Sequence, residues 1–385
     1  MTRRGRKKIL VVFGTRPEAI KLAPVVKALE AEPDRFEVIT CVTGQHREML
    51  DEMIRAFELR PQMDLGLMKP KQTLPDLTAR AMTKVSEAIA AVQPDFTIVQ
   101  GDTTTAMTAA LASFYARVPV GHVEAGLRTA DRFNPFPEEV NRRIVATVGD
   151  VHFAPTRSAA RALLNEGVPA RDVVVTGNTV IDALLMTAAR APANDRRFGE
   201  RRRYVLVTAH RRESFGAPIR GICEALRQIA VRHRDVAIVY PVHPNPEIRG
   251  PVHELLGGVE GIHLLEPLGY LEFVTCLRGA HFVITDSGGV QEEAPALGKP
   301  ILVVRETTER PEAVEAGVAR LVGTRVATIV GAADELLTRP QAYARMARAT
   351  NPFGDGHASE RIVKTLEARL FEDVVQPRKV VEVSL

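Results

Sequence analysis

The amino-acid sequence predicts an α/β protein built of two doubly wound, Rossmann-like domains. Three observations carry that expectation. The chain has 385 residues, and at about 150 residues per domain two domains are expected. Short β-branched apolar runs alternate with longer helical patterns, and the runs are apolar on both faces, as parallel strands covered on both sides must be. The runs form two series, one on each side of Ala191–Arg203, "APANDRRFGERRR", a polar stretch with Pro and Gly that has the composition of a linker. The expected domains are residues 1–185 and 186–358, the first ending after "TGNTVIDALL".

The first series begins with Lys8–Phe13, followed by "GTRPEAIK". Proline suits the first position of a helix, so Pro17 starts one and leaves Arg16 at the sheet rim beside its N-terminus. Phe36–Val42 is the second run. Phe96–Gln100 is the third, and "GDTTTA" follows it. Val118–His122 comes next, within "VPVGHVEAGLRT". Val151–Ala154 and Val173–Thr176 complete the series. The second series opens with Tyr204–Thr208, followed by "AHRRESFG". Ala237–Tyr240 runs into "YPVHPNP", and Ile262–Leu265 follows. Phe282–Thr285 ends in "DSGG", and Ile301–Val304 closes the series. In open parallel sheets ligands bind at the carboxyl ends of strands. Nearly all the unusual residues of this chain fall there, which points to a cleft between two facing rims.

Composition excludes several classes. Hydrophobic content of 45% and charged content of 25% are those of an ordinary globular protein. The net charge is +4, from 51 Lys and Arg against 47 Asp and Glu. The basic clusters at Arg3–Lys8 and Arg196–Arg203 lack the interleaved aromatics of a nucleic-acid surface, so no nucleic-acid partner is expected. Cys41, Cys223 and Cys276 are far apart and show no metal spacing, which fits free thiols in a reducing cytoplasm. The apolar run Ile9–Phe13 is too short for a signal-peptide core, and no stretch of about 18 apolar residues suggests a membrane span.

Asp286-Ser287-Gly288-Gly289 ends a buried strand and opens a helix. Glycine lets backbone N–H groups approach a ligand, and a helix N-terminus adds free donors and partial positive charge. Together they make an anion site, with phosphate the usual anion and the Ser287 hydroxyl a further donor. Glu293 lies almost two turns further on and can accept from a ribose diol. The plainer alternative is that Ser287 caps the helix and the acids are solvated partners of its dipole. Arg16 suits a pyrophosphate clamp, with Lys21 one turn beyond; both could equally be solvated surface cations. Asp102 and Glu124 follow strands joined by a single helix, so they should share one rim. Pro137 starts a later helix that carries Glu138, and Arg142 lies four residues on, on the same face. Three acids beside an arginine make an acid–base set, against a reading of Asp102 as a helix cap and of Glu138 and Arg142 as a surface pair. His210 can act as a protonated donor or a phosphate ligand, and His243 is equally open.

Ten stretches, in order from Phe13 to about Leu366, carry a resemblance to a known family. They are "GTRPEAIKLAPV", "TGQHREML", "QGDTTTA", "HVEAGLRT", "PFPEEVNRR", "HRRESFG", "PVHPNP", "TDSGGVQEEAPALGKP", "ETTERPEAVEAG" and "NPFGDGHASERI". The chain resembles the bacterial UDP-N-acetylglucosamine 2-epimerases of the non-hydrolysing type. The resemblance implies a glycosyltransferase-B-like fold whose last helix, about residues 359–375, returns to the first domain. It implies reversible inversion at C2 of UDP-GlcNAc to UDP-ManNAc, through elimination of UDP to a 2-acetamidoglucal and re-addition, without metal or nicotinamide. It implies a cytoplasmic homodimer that supplies cell-surface polysaccharide.

By similarity, Asp102, Glu124 and Glu138 are the acid–base candidates, Arg142 orients or charge-balances Glu138, and His210 lies near the pyrophosphate. Arg16, Lys21, Ser287, Gly288, Gly289 and Arg310 would hold phosphate, Glu293 the ribose and Phe273 the uracil. Gln45, His46, Gln72 and His243 match a second, activating UDP-GlcNAc site, where Lys71 stands in place of an expected Arg. Three rivals remain at this stage. They are a hydrolysing epimerase that releases ManNAc and UDP, a glycosyltransferase of the same fold, and a non-catalytic sugar-nucleotide sensor.

Overall fold

The computed structural model describes residues 5–44, 47–69, 72–129, 131–191 and 203–371. The chain forms two compact units, Met1–Ala183 with Phe353–Leu385, and Leu184–Pro352. Most of the Ala191–Arg203 stretch lies outside the described residues.

The first unit holds seven parallel strands: β1 (Lys7–Phe13), β2 (Phe36–Val42), β3 (Met63–Asp64), β4 (Phe96–Gln100), β5 (Val120–Val123), β6 (Val151–Ala154) and β7 (Val173–Val175). Their order is β3-β2-β1-β4-β5-β6-β7. The second holds six: β8 (Arg203–Thr208), β9 (Val236–Pro241), β10 (Ile262–Leu265), β11 (Phe282–Thr285), β12 (Ile301–Val303) and β13 (Ala319–Leu321), ordered β10-β9-β8-β11-β12-β13. Both sheets are doubly wound. Strand order reverses between β1 and β4 in one and between β8 and β11 in the other, and the loops after those strands define each unit's ligand crevice.

The helices of the first unit that bear on the site are α1 (Arg16–Glu30), α2 (Arg47–Ala56), α3 (Leu74–Val92), α4 (Thr104–Tyr115), α5 (Glu138–Val148), α6 (Arg157–Asn165) and α7 (Thr179–Arg190), the last of which carries the chain into the second unit. In the second unit they are α8 (Ala217–Arg232), α9 (Pro246–Leu256), α10 (Tyr270–Gly279), α11 (Gly288–Ala296), α12 (Pro311–Glu315), α13 (Val326–Thr338) and α14 (Pro340–Ala347). The closing helix, α15 (Ala358–Phe371), belongs to the first unit. There Arg35 pairs with Glu367 at 2.9 Å, and Phe371 packs edge-on against Phe36.

The central strands are apolar on both faces because helices cover both. Every residue from Ile9 to Phe13 is fully buried, as are Val205, Leu206 and Val207. Two strands escape the sequence reading. Met63–Asp64 and Ala319–Leu321 are edge strands of two and three residues, too short to form an apolar run, and paired on only one side. The expected strand at Val118–His122 begins two residues later, at Val120. Pro119 precedes it and has no N–H for the ladder, though its carbonyl still accepts from Thr97 at 2.8 Å.

Two histidines are buried inside the first sheet. His122 and His152 face each other across β5 and β6, with 0% and 1% exposure. His122 Nε2 lies 2.8 Å from the Gly101 carbonyl. A carbonyl only accepts, so Nε2 carries the proton, and Nδ1 has no partner among the described residues. Burial, reinforced by His152, pushes the His122 imidazole down to about 3. Its folded value therefore lies below its unfolded value of about 6.5. The stability this neutral ring contributes is full above that value and is lost as pH falls through it. Between pH 7 and pH 5 the loss should be about 2 kcal/mol from this residue. Urea unfolding at both pH values checks it. His122→Gln keeps a donor for Gly101 and should shrink the pH-dependent loss by that amount; an undiminished loss would refute the assignment.

Candidate active site at the two switch points

In the first unit, β1 runs into Gly14-Thr15 and helix α1. Thr15 is the N-cap, and Glu18, fully buried, reaches back to accept from the amides of Gly14 at 3.0 Å and Thr15 at 2.8 Å. The other Glu18 oxygen accepts from the Thr103 hydroxyl at 2.7 Å. One carboxylate thus ties together the two turns at the switch point, those after β1 and β4. Burial raises its pKa, and these donors oppose the rise. A Cβ on Gly14 would lie 2.0 Å from Thr43 Oγ1, so only glycine fits there. Arg16, the first residue of α1, is half-buried and has no partner among the described residues.

β4 ends at Gln100, and Gly101 turns the chain with φ +69°. Asp102 follows. It does not cap α4, because Thr103 does, accepting from the Ala106 amide at 3.0 Å. The Asp102 carboxylate instead pairs with Arg142 Nη2, and its carbonyl accepts from Asn141 Nδ2 at 3.0 Å. Burial raises the Asp102 pKa; Arg142 opposes that rise and the charge of Glu124 adds to it. The last influence follows from β4 and β5 being neighbours in register, Gln100 opposite Val123, so both carboxylates leave one rim.

Glu124 sits just past β5 with φ +62°, the left-handed region that a residue with a Cβ rarely enters. Its surroundings hold it there. Lys21 Nζ lies 2.5 Å from Oε1, Asn178 Nδ2 donates to the same oxygen at 3.1 Å, and Gln100 Nε2 donates to Oε2. Such strain persists where the surroundings over-determine it, often at functional sites. Lys21, expected to bind phosphate, is therefore the counter-ion of Glu124, because a carboxylate with 7% of its side chain exposed lies beside it.

Glu138 opens α5, half-buried, with no partner among the described residues. The expected pairing of Arg142 with Glu138 does not form. Arg142 pairs with Asp102 and, through Nη1, with Glu139 at 3.5 Å. Glu139 is fully buried and also takes Arg143 Nε at 2.8 Å and the Thr129 amide at 3.1 Å. The i,i+4 pair gives way to Glu139, which is fully buried and needs the cation more than the half-buried Glu138 does.

In the second unit the switch point lies between β8 and β11. Asp286 follows β11 directly and has no exposure. Its Oδ2 accepts from the amides of His210 (2.7 Å) and Arg211 (2.8 Å) and from Ser214 Oγ (2.9 Å). Burial pulls His210 below its ordinary pKa; Asp286 opposes this, while His243 and Arg211 reinforce it. Ser287 is the N-cap residue of α11, yet its side chain makes no cap hydrogen bond. Its hydroxyl has no partner among the described residues, which weakens the capping alternative. A Cβ on Gly288 would lie 3.4 Å from Arg211 Nη2, while Gly289 is exposed.

The acids after the glycines have definite partners. Glu292 pairs with Arg310 Nε at 2.5 Å, and Gln291 accepts from Thr308 Oγ1 at 2.7 Å and donates to the Ser287 carbonyl at 3.2 Å. Arg310, expected at phosphate, is thus anchored to the helix that would bind the phosphate. Glu293, the ribose candidate, is 8% exposed, and Phe273, the uracil candidate, is half-buried on the first turn of α10.

Of the activating set, Gln45, His46 and Lys71 lie outside the described residues. The Gln72 side-chain carbonyl accepts from Arg80 Nη2 at 2.6 Å and from the Lys69 amide at 3.3 Å. His243 is exposed, stacks on His210 with centroids 5.4 Å apart, and accepts from the Asn245 amide at 3.2 Å. Among the described residues no cluster of three His, Cys, Asp or Glu is placed to hold a metal ion, and no helix is long and apolar enough to cross a membrane.

Sequence reading passed over Glu18, Gln100, Glu139, Asn178 and Asp286 as members of these half-sites. Glu18 had a signal, since Thr15-x-x-Glu18 is the capping-box spacing. Glu139 meets Arg142 and Arg143 at helical spacing as well as the Thr129 amide, while Gln100, Asn178 and Asp286 meet their partners in these half-sites through tertiary contacts.

Comparison with known proteins identifies the family of the chain. Residues 27–367 match the family model described as UDP-N-acetylglucosamine 2-epimerase. A Ralstonia nicotianae protein named "Probable UDP-N-acetylglucosamine 2-epimerase" is 55% identical over 373 residues, covering 94% of this chain and 99% of its own. The UDP-N-acetylglucosamine 2-epimerase of Yersinia pestis is 51% identical over 370 residues, covering 94% and 98%. The crystal structure of UDP-GlcNAc 2-epimerase from Neisseria meningitidis bound to UDP-GlcNAc superposes with a TM-score of 0.83 at 43% identity, covering 93% of this chain and 99% of that one.

Proposed function

Because the chain belongs to the UDP-N-acetylglucosamine 2-epimerase family, we propose that it interconverts UDP-GlcNAc and UDP-ManNAc without net hydrolysis. The C2 proton passes to a carboxylate, the electron pair forms the C1–C2 double bond, and the C1–O bond breaks to release UDP. Re-addition of UDP at C1, with protonation of C2 on the other face, completes the inversion. Asp102, Glu124 and Glu138 are the proton-transfer candidates.

One observation carries this reading. Asp102 and Glu124 leave adjacent strands at one switch point, each paired with its own cation, Arg142 or Lys21. Environments that push two carboxyl groups apart in proton affinity give an acid and a base. Burial and the neighbouring charge move Asp102 towards the protonated form. The leaving diphosphate needs positive charge and free donors. The uncapped start of α11 at Ser287-Gly288-Gly289, together with Arg16, Arg310 and His210, supports binding of UDP. The stretches "GTRPE" (Gly14–Glu18) and "FPEE" (Phe136–Glu139) favour the non-hydrolysing type over its hydrolysing relative.

Turnover in deuterium oxide tests the reaction. Recovered UDP-GlcNAc and UDP-ManNAc should carry deuterium at C2. Epimerisation with C2 protium retained would remove the elimination mechanism, and free ManNAc accumulating with UDP would make the enzyme a hydrolysing one.

A further inference from the structure

We propose that Asp286 is a positioning residue for His210: its buried carboxylate holds the imidazole as the tautomer protonated on Nδ1 and leaves Nε2 as the nitrogen that exchanges a proton with the diphosphate. This rests on the placement of His210 beside that group in the reaction above.

The two oxygens of Asp286 have different surroundings. Oδ2 is saturated by the His210 amide, the Arg211 amide and Ser214 Oγ, at 2.7, 2.8 and 2.9 Å. Oδ1 is buried, has no hydrogen-bond partner among the described residues, and lies 3.7 Å from His210 Nδ1. A buried carboxylate oxygen without a donor is costly, and Nδ1 faces it at the end of the neighbouring strand. Contacts of this kind tighten to about 2.6–3.2 Å when the catalytic geometry assembles. The same side chain that fixes the backbone of the His210 loop therefore also selects the proton's position on the ring, as an orienting carboxylate does for a catalytic base. The other groups around the ring are His243, stacked at 5.4 Å, and Arg211. Both disfavour a charged imidazole. Asp286 is the group that favours it, and so lets Nε2 take up a proton from solvent, pass it to the departing diphosphate and recover it when UDP re-adds.

Asp286→Asn separates orientation from scaffolding. The amide oxygen can still accept from the two backbone amides and Ser214, while its NH2 replaces Oδ1 and cannot accept from Nδ1–H. The ring should switch to the Nε2-protonated tautomer. Nitrogen-15 NMR of full-length enzyme with labelled histidine reads this directly, alongside kcat. Expected results are Nδ1–H in the wild type, Nε2–H in D286N, and kcat lowered about 10- to 100-fold, the scale seen when an outer partner of a functional histidine is removed. Ser214→Ala removes one scaffold contact only and should keep the wild-type tautomer. A wild-type ring protonated on Nε2, or a tautomer unchanged in D286N, would overturn the proposal. Near wild-type turnover by His210→Gln would instead remove the role of His210, whatever the tautomer.

Discussion

Asp102→Asn, Glu124→Gln and Glu138→Gln should each lower kcat at least about 100-fold, the scale of general acid–base catalysis by a positioned side chain. The reason differs at each position. Asp102→Asn removes a proton carrier and leaves Arg142 with Glu139 as its remaining anion. Glu124→Gln strips Lys21 of its counter-ion in a place where 19% of the lysine side chain is exposed. The amide would also set its NH2 or its oxygen against donors from Gln100 and Asn178. Glu138→Gln disturbs least, because Glu138 has no partner among the described residues, so its loss of activity should come with unchanged stability. The readouts are formation of UDP-ManNAc by NMR and the unfolding midpoint in urea. Near wild-type kcat in all three variants would discredit the carboxylate assignment.

The second large effect concerns stability. Gly126 lies two residues past Glu124 and has φ +91°. A Cβ there would stand 2.2 Å from the Ala159 carbonyl oxygen and 2.7 Å from its carbon, both backbone atoms of α6, and 3.1 Å from Leu163 Cδ1. A helix backbone cannot move aside as a side-chain tip can. Gly126→Ala combines an unfavourable conformation with overpacking, each costing about 1–3 kcal/mol, and should destabilise the first unit by about 2–6 kcal/mol. Gly167→Ala is the matched control. Gly167 has φ +89° but nothing within 4 Å of its Cβ position, so only the conformational cost of about 1–2 kcal/mol applies. Denaturant unfolding compares the two. Equal losses would show that the clash with α6 is relieved cheaply. Since Glu124 sits on the same turn, Gly126→Ala should also lower turnover in the fraction that stays folded.

Much of the architecture was legible because its signals are local. A central parallel strand must be apolar on both faces, so β1, β2, β4, β8 and β11 stand out as runs. The switch-point turns advertise themselves through Gly14, Gly101, Gly288 and Gly289. Edge strands carry no such requirement, and β3 and β13 were invisible. The acids and the glycine-opened helix were found by their position after strands. Their partners were not, and Arg142 illustrates why. Helical spacing points it at Glu138, yet it serves Asp102, 40 residues away in sequence, and Glu139.

By itself the sequence determined the two α/β units, the order of their strands along the chain, and which rim of each sheet carries the polar chemistry. Periodicity and turn chemistry act over a few residues and survive without knowledge of the fold. Only the tertiary structure decided which charge meets which. It gave Lys21 to Glu124, Arg142 to Asp102 and Arg310 to Glu292, and it set His122 against the Gly101 carbonyl and Asp286 against the amides of His210 and Arg211. Away from water, an acid must find a cation or a donor wherever folding brings one near, and that choice is made by strands and helices that meet in space while lying far apart in the chain, as Lys21 and Glu124 do at a separation of 103 residues.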